Sequence, residues 1–189
     1  MDKREFLMAA AGTLASLLPS TASAEVVEHA AIISVRNVDG GPGQSRFLIG
    51  HVPNGRMGFA PELSRTHSGT KWKVFAAGNE FFFIQCLGLG QGPRWLEGRA
   101  ATASVGLAAG RQPSYSGTAW RALPFQGSGT DYLLECEVAR GKRWWLRGTP
   151  GRGVVDLAAP SDRPVPGTRW TISRYPVCID PPCDPWFRR

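Results

Sequence analysis

The sequence predicts an all-β domain in which three four-stranded repeats close a barrel around a pseudo-threefold axis. Three separate motifs recur in one register, at offsets of 48 and then 50 residues. The apolar runs between them alternate with the period of a strand, and no window of comparable length carries a helical stripe. With 23 Gly and 15 Pro in 189 residues the chain has the punctuation that many short strands require, and its length suits a single core.

Each unit opens with an apolar run: Ile32 to Val38, Phe81 to Cys86, and Tyr132 to Cys136. Phe82, Ile84 and Cys86 match Tyr132, Leu134 and Cys136, with Ile33 and Val35 as the first-unit counterparts. The second strand is Phe47-Leu48-Ile49-Gly50, then Trp95-Leu96-Glu97-Gly98, then Trp145-Leu146-Arg147-Gly148. The third is Met57-Gly58-Phe59-Ala60, Val105-Gly106-Leu107-Ala108 and Val155-Asp156-Leu157-Ala158. The fourth is entered through Gly69-Thr70-Lys71-Trp72, Gly117-Thr118-Ala119-Trp120 and Gly167-Thr168-Arg169-Trp170. The repeats span about 30–75, 79–123 and 129–174, inside one domain at 25–175. Propellers close with about four to eight blades, so three units point to a barrel, whose closure removes exposed edges.

The repeat assigns Trp72, Trp120 and Trp170 to the core, and likewise Trp95 and Trp145, which share the position of Phe47. Gly50, Gly98 and Gly148 follow a strand and are expected to permit its reversal. Cys86 and Cys136 occupy equivalent positions, either as small core residues or as a pair meeting near the axis in a disulfide.

The motif set [FW]-L-x-G, [VM]-x-[LF]-A and G-T-x-W, three times over, resembles a β-trefoil of the ricin-type lectin kind across roughly residues 30–175. Ricin-type repeats end in Gln-x-Trp, and this chain has Thr-x-Trp at that place. The resemblance implies carbohydrate recognition in up to three shallow sites, each combining a carboxylate, an aromatic ring and an amide. Asn37 and Asp39 are the nearest match in the first unit, where the other units have Cys86-Leu87 and Cys136-Glu137. Trefoils also act as protein-interaction modules through variable loops, here 109–116 and 159–166. An envelope adaptor or protease inhibitor is therefore the alternative.

Both ends fall outside the repeats. Lys3-Arg4 precede an apolar run from Phe6 to Leu18, and Ala22-Ser23-Ala24 forms a small-x-small site, so residues 1–24 read as a cleaved export signal. Lys3-Arg4-Glu5-Phe6-Leu7 resembles the twin-arginine export motif, with Lys in place of the first Arg. The run is shorter than the ~20 residues of a membrane span, so the expected product is periplasmic or secreted rather than an integral membrane protein. In such a compartment Cys178 and Cys183, in a Pro-rich tail at 176–189, are expected to form a local disulfide.

Catalysis finds little support. The three histidines, His29, His51 and His67, lie in or before the first unit with no metal-ligand spacing, and no Gly-x-Ser-x-Gly elbow exists. Strand alternation makes Glu135 and Glu137 ordinary outward residues. A binding protein without metal or cofactor is the expectation. Its site is sought where the third unit departs from the repeat: Trp144 replaces Arg46 and Arg94, amid Lys142, Arg143 and Arg147. If Trp145 and Leu146 are core, Trp144 projects from the opposite face, where an aromatic surface stacks on a sugar and cationic donors hold hydroxyls or an acidic group. The formal charge of +7 favours a carbohydrate or anionic cell-envelope glycan as partner, with a protein partner as the alternative and no nucleic acid in an exported setting.

Overall fold

Strand alternation and glycine punctuation produce twelve strands, seen in a computed structural model that describes residues 31–41, 44, 46–63, 68–78, 80–111, 117–139, 142–159, 161 and 165–174. The export signal, His29, His67, Cys178, Cys183 and Trp186 lie outside the described residues. In the first unit β1 is Ala31–Asn37, β2 Phe47–His51, β3 Arg56–Ala60 and β4 Trp72–Gly78. The second unit has β5 Phe81–Cys86, β6 Trp95–Arg99, β7 Ser104–Ala108 and β8 Ala119–Pro124. The third has β9 Asp131–Ala139, β10 Lys142–Thr149, β11 Val154–Ala158 and β12 Arg169–Arg174. The chain is all-β with four strands per repeat, as expected. Among the described residues no helix is long and apolar enough to cross a membrane.

The pairings are antiparallel and follow the repeat. Strands β1, β4, β5, β8, β9 and β12 pair in that order, and β12 returns to β1, so these strands form a closed ring without a free edge. Each unit adds a hairpin, β2–β3, β6–β7 or β10–β11. The hairpins turn through Gly55, Ala103 and Gly153, which share one left-handed conformation with φ of 68°, 49° and 66°. They also join one another: Leu107 donates its amide to Gly55, and Leu157 to Ala103, each at 2.9 Å.

The core repeats three times. Trp72, Trp120 and Trp170 are fully buried among Leu48, Leu96, Leu146, Ile84 and Leu134. A buried indole N–H needs an acceptor. Each finds the carbonyl of a leucine 24 residues earlier: Leu48 at 3.2 Å, Leu96 at 2.9 Å and Leu146 at 2.9 Å. Opposite these Trp residues in the ladder stand Cys86, Cys136 and Asn37.

That register corrects two expectations, and the cysteines fall to the first of their two alternatives. Gly50, Gly98 and Gly148 are not turn residues: they lie within β2, β6 and β10 without positive φ. Glycine is needed there because the space is taken. A Cβ on Gly50 would lie 2.8 Å from Cys86 Sγ, on Gly98 2.6 Å from Cys136 Sγ, and on Gly148 2.8 Å from the Trp170 ring and 3.1 Å from Asn37 Nδ2. Trp95 and Trp145 do not join the central cluster of Leu96 and Leu146, because successive strand residues face opposite sides, but Trp145 is buried and Trp95 packs against a second, smaller apolar cluster. They stand on the outer face, and it is Trp144 that shares the inner face with Leu146 and packs against the core. The two described cysteines are buried free thiols, not a bridge. Cys86 Sγ lies 3.5 Å from the carbonyl oxygen of Gly69 and 3.6 Å from that of Gly50.

Overpacking of this kind costs about 1–3 kcal/mol. Gly98→Ala is expected to destabilise the domain by that amount in urea unfolding, and Cys136→Ala in the same chain to recover a measurable part, giving a non-zero coupling in the double-mutant cycle.

Candidate binding site

The ladder that buries the core also sets rows of side chains on the outer face. At the junction of the second and third units Arg121 on β8 stands opposite Glu135 on β9, Glu135 opposite Trp145 on β10, and Trp145 opposite Ala158 on β11. The junction of the first and second units repeats the row as Lys73, Gln85, Trp95 and Ala108, and that of the third and first as Thr171, Arg36, Phe47 and Ala60. The aromatic ring and the alanine keep their places. The polar members change, so each unit presents different chemistry at one architectural position.

The third row concentrates charge. Glu135 is only 7% exposed, and a buried carboxylate needs a cation and donors. Arg121 supplies both, its Nη2 donating to Oε1 at 2.7 Å, while Arg143 Nε lies 3.8 Å from the same oxygen with 46% of its side chain exposed. Arg121 also reaches Glu80 Oε2 at 3.7 Å and lies over the Phe81 ring at 5.7 Å. Among the described residues two buried donors remain without a partner, the Nε of Arg121 and the indole Nε1 of Trp145. The row therefore carries one well-placed acceptor and two unmet donors within a single strand-to-strand step on either side. The two unmet donors are themselves buried, and the member of the row open to an oxygen-bearing ligand is the half-exposed Arg143 guanidinium.

The residues singled out from sequence are placed as follows. Lys142 begins β10 opposite Ala139, and the register slips between Lys142 and Arg143. Arg143 joins the Glu135 row. Arg147 lies farther along the same face and is held by Asp156 through two hydrogen bonds of 2.8 and 2.6 Å. Trp144 is half-buried on the other side of β10. Its repeat mates explain the exchange: Arg94 binds the carbonyls of Cys86, Gly88 and Gly90, and Arg46 that of Gly40, so each pins the loop leading into its hairpin. In the third unit β9 runs almost directly into β10, and a ring that covers core replaces a guanidinium that holds a loop.

Asn37 and Asp39 form a clamp between the two ends of the domain. Asn37 is fully buried, donating its amide N–H to the Gly167 carbonyl at 2.7 Å and accepting the Asp39 amide at 3.1 Å. Asp39 accepts the Gly167 amide at 2.7 Å and pairs with Arg169 at 3.2 Å. With these atoms engaged, Asn37 has an architectural place equivalent to Cys86 and Cys136 rather than a surface for ligand.

Glu135 was the member that alternation dismissed. It does point outward, but beneath Arg121 and Arg143 rather than into solvent. Its signal in the sequence was the repeat position itself, since Arg36 and Gln85 occupy the same place. Beside it, burial first and the neighbouring Glu135 charge second push the Cys136 thiol up from 9.0 to about 12. Burial likewise raises Cys86, against the lowering effect of the Gly88 amide and Arg94.

No family model matches the chain, and no curated protein matches it. Solved structures do. SeviL bound to asialo-GM1 saccharide aligns with a TM-score of 0.54 at 12% identity, over 77% of this chain and 98% of that one. A GlcNAcα1-4Gal releasing endo-β-galactosidase from Clostridium perfringens aligns at 0.58 and 12% identity, over 77% of this chain but 33% of its own. Cry35Ab1 aligns at 0.58 and 11% identity, over 80% of this chain and 37% of its own. In the last two the chain spans about a third of the other protein. Likeness at these identities shows a shared fold.

Two outcomes follow from the site. Trp145→Phe removes a donor that has no partner, whereas Trp120→Phe removes a made hydrogen bond and orphans the Leu96 carbonyl. Urea unfolding should therefore find Trp120→Phe costlier by about 1 kcal/mol or more. The raised thiol sets a pH window. Below about pH 9 both folded and unfolded Cys136 are protonated, and between about 9 and 12 only the unfolded chain releases the proton. Stability should fall as pH rises through that window, by less in Cys136→Ala, and neither described thiol should react with a thiol reagent at neutral pH until the chain is denatured.

Proposed function

We propose that the chain is an exported, non-catalytic binding protein with a ricin-like β-trefoil fold, and that its ligand is carbohydrate, with acidic cell-envelope glycans preferred. The closed ring with three hairpins and the 48- and 50-residue repeat support the trefoil reading. The likeness to SeviL, bound to a saccharide and matched over 98% of its length, supports the ligand class.

The observation that carries the proposal is the Glu135 row. A sugar hydroxyl donates to a carboxylate and accepts from N–H groups, and here Glu135 stands between Arg121 and Trp145 in the ladder, with the half-exposed guanidinium of Arg143 3.8 Å from its Oε1. Arg143, and Lys142 at the start of the same strand, favour a ligand with a carboxylate or sulfate. Glycoside cleavage uses a carboxylic acid that gives up a proton and a second carboxylate across the bond. Glu80 and Glu135 instead both lean on Arg121, which supports a binding role. Trp144 is read as packing beneath the site, and Arg147 as a cation farther along the strand.

The alternative, a protein-interaction module, is favoured by Leu89, 78% exposed on the loop that Arg94 holds through its carbonyls. A glycan array probed with the mature chain separates the two. Binding to a restricted set of acidic glycans, lost at least about tenfold in Arg143→Ala with the melting temperature unchanged, is the expected result. No glycan bound, with a protein recovered reproducibly from envelope extracts and lost in Leu89→Ser, would favour the alternative. Mass spectrometry of the same preparation is expected to show a chain starting at Glu25.

A further inference from the structure

The junction of the first and second units contains an aromatic corner that the repeat does not require. Phe75 on β4, Phe83 on β5 and Trp95 on β6 pack together, the Trp95 ring 5.3 Å from Phe75 at 56° and 6.3 Å from Phe83 at 78°. Phe75 and Phe83 are each 7% exposed. Arg111 enters from the loop after β7, and its guanidinium carbon lies 5.4 Å from Phe75, 5.4 Å from Phe83 and 5.2 Å from Trp95. A cation within about 6 Å of a ring centroid is attracted by the ring's quadrupole. Here three rings share one cation almost equally, which is the geometry of a cage and not of a single stacked pair.

We propose that this corner is a cation-binding site, and that Arg111 is its built-in occupant, displaced when an organic ammonium or guanidinium group of a ligand enters. Three features carry this. The walls stand on strands, while the occupant sits on a loop and is itself exposed. The corner already accepts more than one cation: Lys73 Nζ lies 4.8 Å from the Phe75 ring. The cage is also absent from the equivalent junction of the second and third units. At the repeat positions of Phe75, Phe83 and Arg111 that junction has Leu123, Leu133 and Ser161, which fold into the same architecture without one. Packing alone therefore does not account for the three rings.

The shared ligand chemistry is an alkylated or delocalised cation, carried by a small molecule or by a partner's side chain. Calorimetric titration of the full chain tests it, with choline for the first source and N-acetylarginine amide for the second. Arg111→Ala is expected to bind one of the two saturably, at least about tenfold more tightly than the unsubstituted protein, because the internal competitor is gone. The tighter of the two names the source. Dimethylbutanol, the uncharged carbon isostere of choline, should bind at least about tenfold more weakly than choline, and Trp95→Leu in the Arg111→Ala chain should remove cation binding. If Arg111→Ala does not fold, Arg111→Gln serves in its place, since it removes the charge and keeps most of the stem. A folded variant that binds neither cation, or one that binds dimethylbutanol as tightly as choline, would overturn the proposal. Glycan binding at the Glu135 row is read separately and stands or falls without it.

Discussion

The structure depends on one close approach, made three times. Gly50, Gly98 and Gly148 each lie where a side chain would strike the next layer, and across that gap sit Gly69, Gly117 and Gly167, whose own Cβ atoms would overlap the carbonyl oxygens of the first three. Gly98 and Gly148 donate their amides to Gly117 and Gly167 at 2.9 Å. With the backbones this close, the Trp of Gly-Thr-x-Trp falls beneath the Leu of the second strand, and its indole N–H meets that Leu's carbonyl. Glycine pairs set the distance and indoles fix the register. The hairpins, the ring of six strands and the outer rows follow from that register.

Since the inner face is committed to the same contacts in every unit, difference accumulates outside. The middle residue of the outer row is Arg36, Gln85 or Glu135, and the surroundings change with it. Glu135 draws Arg121 and Arg143, while the neutral Gln85 lies in a unit whose ring, Trp95, packs against other rings and a loop-borne Arg111. One scaffold position thus hosts a charged, donor-rich row in one unit and an aromatic cation cage in another. The first-unit edge is spent on closure, where Asn37 and Asp39 clamp the Gly167 turn and tie β1 to β12.

The repeat made the architecture legible, because offsets of 48 and 50 residues place Trp72, Trp120 and Trp170 at one position without any knowledge of contacts. What the repeat did not disclose was which face each residue takes. Trp95 and Leu96 are adjacent and both apolar, and only the strand's period of two decides that Leu96 joins the central cluster and Trp95 the smaller one on the other face. The same omission placed Trp144 outside and read Gly50, Gly98 and Gly148 as turns, when their reason is a neighbour's Sγ or indole. The candidate site was less legible still. Arg121, Glu135 and Trp145 lie on separate strands and come together only through register, and Arg111 reaches its rings across β4, β5 and β6. Of the sequence-chosen set, Arg143 is the member that joins the row.

Hydrogen exchange of the seven tryptophan indole N–H groups, followed by NMR, tests the account most directly. The account predicts that Trp72, Trp120 and Trp170 exchange together and slowest, only on global unfolding, because each is locked to a leucine carbonyl. Trp145, buried but without an acceptor, should exchange faster than those three and slow when a glycan occupies the Glu135 row. If one of the three exchanges as readily as Trp95, or if Trp145 matches them in the free protein, the register lock is not what holds this fold.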